Sequence, residues 1–376
     1  MASRLDRTVG SLVGFYAGDA LAMPVHWYYD TRQLRDDFGK ITKYEAPKPH
    51  FPGSIMNLSN TGGGGRGSDQ GDIVGTVILH GKKEFWKKGG NYHYHHGMKA
   101  GENTLDALVT NVLTKSMIKQ GEVDPRDFIE SYIKFMTTKG SHNDTYAGTC
   151  HRMFFKNLID GRKPEDCPDN DSHNVDAIDA LMILPPVVLA HHASSPAVRS
   201  EAIRKAIQAT RNTEAVLRYA NIYSDMLLAV FDGTSIPEAA VEAGKQLNYD
   251  IAKEVRMYGD RQDPMVACYI ASSFPAMLYF AHKYGDNYES LLFASANAGG
   301  ENVARGSLLG ALAGARFGLS GTPNHLKTGL VAYDEIVKDS QDFAKVFELS
   351  DSSSGGGVDS TVGHSSAASL SEPALL

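Results

Sequence analysis

Three glycines at four-residue intervals, Gly306, Gly310 and Gly314, lie in the stretch Val303-Ala304-Arg305-Gly306-Ser307-Leu308-Leu309-Gly310-Ala311-Leu312-Ala313-Gly314-Ala315-Arg316-Phe317-Gly318. A spacing of four places all three on one face of a helix. A glycine inside a helix costs roughly 0.5–1 kcal/mol relative to alanine. Accepting that cost three times on one face makes sense where helices must pack tightly, so this segment is expected at the centre of the fold. Near the N-terminus, Gly14 and Gly18 likewise leave one helix face without side chains, so that a neighbouring helix can approach closely.

The rest of the chain is also helical in pattern. Apolar periodicity predicts helices over about 7–23, 104–119, 125–137, 197–208, 213–232, 236–244, 266–284, 287–298, 303–318 and 326–343, and no alternation of period two persists. The expected fold class is all-α, a compact multi-helix bundle with one large core in a single domain over 1–348. Residues 37–89 stand apart: they carry Pro47, Pro49 and Pro52, then Gly62, Gly63, Gly64 and Gly65. A loop of that length is either functional, mobile or an inserted surface excursion. Beyond Phe347 the aromatics stop and Ser, Gly and Ala take over, so 349–376 is expected to be a disordered tail.

Composition narrows the function. The 376 residues carry a net charge of −7, with basic residues scattered rather than banded, which argues against a nucleic-acid partner. The apolar stretch over 12–25 is broken by Asp19 and preceded by Arg4, Asp6 and Arg7, unlike an export signal. The longest uncharged apolar run, 180–190, contains Pro185-Pro186 and is about half of a membrane span. Cys150, Cys167 and Cys268 are odd in number and in no metal-ligand spacing, as suits a reducing compartment. The expected location is the cytoplasm, and the expected partner a small molecule rather than a membrane.

The tripeptide Gly-Glu-Asn occurs twice, as Gly101-Glu102-Asn103 and Gly300-Glu301-Asn302. Each copy sets a carboxylate beside a carboxamide where a glycine-containing loop enters a helix. Two such loops facing one another could offer oxygen ligands to a hard cation such as Mg2+; they could equally be two ordinary helix starts. Asp19 is carried into an apolar stretch, where a charge must be paired, ligated or spent on capping a neighbouring backbone. The dense histidines His93, His95 and His96 have no helical zinc spacing and better suit contacts to a phosphate or ribose beside Glu102. Glu301 and Arg305, four apart in the favourable order, offer a plain alternative for Glu301 as a salt-bridged acid in a first helical turn.

In this order the segments resemble the ADP-ribosylglycohydrolase family. Its N-terminal G-x-x-x-G-D-A-L-G helix is matched from Gly14 to Leu21, with Ala22 replacing the last glycine. Its T-D-D-T loop falls on Gly101-Glu102-Asn103-Thr104, and its T-H before a later helix on Thr210-Arg211. Its G-G-D-T-D-T and G-A-R-Y-G segments fall on Gly299-Gly300-Glu301-Asn302-Val303-Ala304 and on Gly314-Ala315-Arg316-Phe317-Gly318. The histidines before Gly-Glu-Asn-Thr, and His151-Arg152-Met153-Phe154-Phe155, are similar to a divergent branch that includes the J-crystallins and selenoprotein J.

The resemblance implies an all-α bundle with a dinuclear Mg2+ centre in a cleft, which orients ADP-ribose and activates water. Position by position the chain departs from that pattern. Gly101 replaces a hydroxyl, Glu102 and Asn103 replace two aspartates, and only Thr104 is kept. Glu301 and Val303 stand at the later aspartate positions and Ala304 at a hydroxyl. Two cations about 3.5–4 Å apart need more negative charge than this. The expectation is therefore at most one Mg2+, held by Glu102 and Glu301 with Asn103, Asn302 or Asp19, or none. Glu102 and Glu301 are the expected catalytic carboxylates, and His93, His95, His96, Gly299 and Gly300 the expected contacts to a small-molecule or ADP-ribosylated substrate. The alternatives are a non-catalytic structural protein of the crystallin kind, and a module that binds ADP-ribose or a nucleotide without turnover.

Overall fold

The computed structural model describes residues 2–56, 73–87, 89–259 and 261–349. Its centre is the meeting of the two glycine-bearing helices, Arg4–Ala22 and Val303–Phe317, which run antiparallel. Gly10, Gly14 and Gly18 face Gly314, Gly310 and Gly306, and a Cβ at any of the six would fall closer than 3.0 Å to a backbone atom of the other helix. Backbone thus touches backbone along the whole contact, and Ser11 Oγ donates to Ala311 O at 2.9 Å within it. Every residue from 303 to 315 is buried. Gly10 extends a face whose other two members the sequence had already marked.

Other helices wrap this pair. Tyr333–Val346 packs on the N-terminal helix and Tyr288–Asn297 on the C-terminal one, while Leu217–Phe231, Ile236–Gln246 and Ile270–Tyr284 complete one side. Leu105–Gln120 and Pro125–Thr137 pack together on the other side. Local chemistry sets their ends. Asp124 caps the backbone of Arg126 and Asp127 ahead of Pro125–Thr137, and Ser235 with Glu238 forms a capping box on Ile236–Gln246. Among the described residues there are isolated bridges but no strand, so the fold is all-α.

Several predicted helices change their limits, and the one over 213–232 begins only at Leu217. The one over 266–284 begins only at Ile270, because Val266 O accepts from Glu301 N and Cys268 O from Ile178 N, which keeps the preceding turn extended. The one over 326–343 divides into Asn324–Thr328 and Tyr333–Val346. Gly329 closes the first piece, and Val331 N turns away to Gly101 O. Thr31–Phe38, Thr149–Ile159, Leu184–Ala190 and Ile251–Tyr258 are helices that the periodicity did not indicate. Leu184–Ala190 is buried almost all round and so shows no amphipathic pattern, and Pro185-Pro186 occupies its first turn, where no N–H is needed.

The described parts of 37–89 are packed into the body. Phe51 stacks on Tyr28 with ring centroids 4.0 Å apart, Ile73 and Val74 are fully buried, and Trp86 Nε1 donates to Thr145 O at 3.0 Å. The four-glycine run expected in this loop lies outside the described residues. So does the expected tail from 350 onward, while Leu349 is buried and its N–H bonds to Ala344 O. No helix among the described residues is long and apolar enough to cross a membrane.

Candidate functional site

The second Gly-Glu-Asn loop is pinned from outside itself. Gly299 and Gly300 both adopt positive φ, 70° and 64°, and a Cβ on either would strike the carbonyl of Tyr28 or of Val266. Gly300 N donates to Tyr28 O at 2.7 Å, Trp27 N to Gly300 O at 3.0 Å and Glu301 N to Val266 O at 2.8 Å. Trp27 itself has φ 59°, a left-handed backbone that an aromatic residue adopts only at a cost of order 1 kcal/mol or more. In that conformation its backbone bonds Gly300 and its ring meets Glu301. Trp27 Nε1 donates to Glu301 Oε2 at 2.7 Å, His26 Nε2 lies 3.3 Å from the same oxygen, and Ala304 N donates to Oε1 at 3.1 Å.

Behind Glu301 runs a buried chain of titratable groups. His26 Nδ1 and His95 Nε2 are 2.8 Å apart with the two rings stacked, and His95 Nδ1 is 2.8 Å from Asp144 Oδ1. Asp144 Oδ2 accepts from Leu105 N and so also caps the helix Leu105–Gln120. Burial opposes the charge on Glu301, but His26 and the hydrogen bonds from Ala304 and Trp27 outweigh it and hold the carboxyl below its ordinary value. Burial likewise works against charge on His95, yet the Asp144 carboxylate raises its pKa. Asp144, against its own desolvation, is pulled down to about 2 by His95 and by backbone N–H donors.

A depressed carboxyl contributes stability that is present above its unfolded value and lost as pH falls through the folded one. For Asp144 that window runs from 3.8 down to about 2, equivalent to about 2 kcal/mol. Urea unfolding followed from pH 5 downward should show the parent losing about that much more stability than Asp144→Asn. Equal slopes for the two proteins would remove Asp144 from the account.

Glu301 opens on a cleft of about 650 Å³, a size suited to a small organic ligand. Trp27, Tyr94 and Tyr146 pack edge to face in its wall, with centroids 4.7 to 5.7 Å apart, and Tyr29, Ile55 and Tyr269 are exposed apolar residues that also line it. Arg152 is a buried cation in the lining. Val303 and Ala304 belong to the same wall, and so do two acids, Asp106 and Asp179. Arg211 Nη2 lies 2.8 Å from Asp179 Oδ2 and 3.9 Å from Asp106 Oδ1, and His151 Nε2 lies 2.9 Å from Asp106 Oδ1. Asp179 is raised by burial, with Arg211 opposing and Asp106 reinforcing. Asp106 is lowered: desolvation is outweighed by His151 and Arg211.

The other residues singled out from the sequence have different surroundings. Glu102 is not in the cleft lining; its Oε2 accepts from Lys99 N at 2.7 Å and Asn143 Nδ2 at 3.0 Å, closing its own turn. Asp19 accepts from Thr104 N, Thr104 Oγ1 and Asn103 Nδ2, so it caps the start of Leu105–Gln120 from inside the core. Asn103 also donates to Tyr16 O, and Asn302 donates to Val25 O and Ala296 O. Both asparagines of the repeated tripeptide thus stitch their loops to the N-terminal segment. His93 bonds Pro24 O and His95 N, and half-buried His96 bonds Pro49 O. Arg305 is spent on Ser295 and Gly299 and lies over the Phe280 ring, so the Glu301–Arg305 pair is not formed.

The Mg2+ pair that the resemblance implies does not fit these donors. Asp19 is committed to protein groups, Asn103 and Asn302 spend their amide N–H groups on protein acceptors, leaving Asn302 Oδ1 as a single neutral oxygen without a partner, Glu102 points elsewhere, and Val303 and Ala304 have no side-chain oxygen. Among the described residues no three His, Cys, Asp or Glu side chains group so as to hold a metal ion. His26, Asp144, Asp106 and Asp179 were not found from the sequence. His26 and Asp144 are far in the chain from Glu301, and Asp106, although two residues beyond Thr104, meets His151, Asp179 and Arg211 only through the fold.

The family model for ADP-ribosylglycohydrolase matches residues 1–353, and the chain belongs to that family. A solved structure described as an "ADP-ribosylglycohydrolase-related protein complex" shares the fold at a TM-score of 0.58 and 18% identity, over 92% of this chain and 100% of the other. No curated protein matches the chain.

Proposed function

We propose that the cleft binds the ribosyl part of an ADP-ribosyl or related ribosyl conjugate and hydrolyses its glycosidic bond without the dinuclear metal centre. The observation that carries this reading is Glu301, a buried carboxylate kept ionised on the wall of an aromatic cavity. Glu301 is pushed down, as a base requires, whereas Asp179, raised by burial, is ion-paired with Arg211 at 2.8 Å. Glu301 takes a proton from water as its oxygen bonds to the anomeric carbon. The leaving atom takes a proton from water in the cleft as the carbon–leaving-group bond breaks, and the hydroxide left behind takes up the proton that Glu301 holds. Trp27 and Tyr146, which are only partly buried, supply the flat apolar faces against which a base or sugar ring rests, and Tyr94 backs them.

Trp27 and Trp86 are the only two tryptophans in the chain, and Trp27 lines the cleft. In a Trp86→Phe background its fluorescence reports ligand directly. Added ADP-ribose is expected to change that emission saturably; an unchanged spectrum up to millimolar concentration would contradict the reading. A scaffold role without turnover is the second reading, and its support is that Asp19, Asn103 and Asn302 all serve the backbone. It is separated from the first by product release, not by binding.

A further inference from the structure

Arg211 is a charge that the proposed reaction does not use. It is 5% exposed, its N–H bonds to Ile207 O at 3.2 Å beyond the helix Pro196–Gln208, and its guanidinium reaches both Asp179 and Asp106. Asp106 is braced from the other side by His151, whose Nδ1 lies 2.7 Å from the Tyr132 hydroxyl. Asp106 and Asp179 line the cleft, whereas Arg211 is absent from its lining. Two carboxyls beside one cavity repel unless a cation or a proton separates them. A divalent cation taken from solution is one solution. A guanidinium, permanently charged and carrying five donors, is another, and it cannot be washed out. Arg211 also has a fully enclosed Nη1 with no hydrogen-bond partner, so the chain leaves a donor unsatisfied to keep the cation there.

We propose that Arg211 is a built-in counter-ion that occupies, between Asp106 and Asp179, the place a divalent cation would need, so that the cleft carries no exchangeable metal. This concerns the charge balance of the cleft in which we place the reaction, and it stands whether or not a bond is cleaved there.

The test compares melting temperatures of the full chain, Arg211→Lys and Arg211→Met, each with EDTA and with millimolar Mg2+ or Mn2+. The parent and Arg211→Lys, which keep a cation between the carboxyls, are expected to ignore both metals. Arg211→Met is expected to melt lower and to recover several degrees when Mg2+ or Mn2+ is added, because the two carboxyls then accept the metal. A metal-dependent rise in the parent, or a folded Arg211→Met that ignores both ions, overturns the proposal. Should Arg211→Met not fold, calorimetric titration of the parent with Mn2+ decides: no binding heat supports the proposal and a saturable heat overturns it. ADP-ribose binding is read separately through Trp27, so failure of the ribosyl reading leaves this result intact.

Discussion

Replacing Gly310 by alanine is expected to destabilise the protein by roughly 3 kcal/mol or more, and Gly310→Val to abolish folding. Helix propensity argues for the opposite sign, since alanine is better than glycine inside a helix by about 1 kcal/mol. Packing decides the matter. The new Cβ would overlap Gly14 O and Gly14 C, which are backbone atoms and cannot rotate away. Neither helix can retreat, because residues 303–315 are all buried and the N-terminal helix is buried from Arg7 to Ala22. Overpacking a core costs about 1–3 kcal/mol when side chains can yield, and more when backbone must move. Thermal unfolding by circular dichroism measures the sign at once; a Gly310→Ala protein that melts higher than the parent would remove the close helix contact from the account.

Glu301→Gln is expected to lower turnover by about 10²–10⁴-fold with little loss of ribosyl-ligand binding, the range for removal of a positioned general base. Glutamine keeps an acceptor for only one of Trp27 and Ala304, which bond different carboxylate oxygens, and it cannot take a proton from water. Glu301→Ala is a harsher change, since it leaves Trp27 Nε1, the His26 ring and Ala304 N buried without their partner. Each orphaned donor costs about 1–3 kcal/mol, so this variant is expected to unfold more readily as well as to lose activity. The pH dependence has a defined sign. Glu301 is held below the ordinary carboxylate value, so the base form persists below that value, and both its activity and its stabilising charge are lost only as pH falls further. An acid limb at or above the ordinary carboxylate value would show that another group is the base.

The repeated tripeptide shows where sequence stops being enough. Gly101-Glu102-Asn103 and Gly300-Glu301-Asn302 are identical as text, and in both the asparagine anchors its loop to the N-terminal segment. The glutamates part company because their turns are closed differently. Glu102 N bonds Lys99 O and its carboxylate returns to Lys99 N, a local closure. Glu301 N is taken by Val266 O, and its carboxylate is met by His26 and Trp27 from the far end of the chain. No local pattern carries that information. The glycine faces were legible because their spacing alone dictates close approach, and the all-α class followed from periodicity. Leu184–Ala190 was hidden because a helix buried all round has no polar face to mark its period. The cluster of Asp106, His151, Asp179 and Arg211 was hidden because it joins four separate segments.

Release of product from an ADP-ribosylated peptide in excess EDTA, by the parent and by Glu301→Gln, tests the central claim most directly. The account expects the parent to release product at an undiminished rate in EDTA and Glu301→Gln to release almost none while still binding ADP-ribose. No release by the parent from any of a panel of ribosyl glycosides, with or without Mg2+, would contradict a hydrolytic cleft and leave the scaffold role in its place.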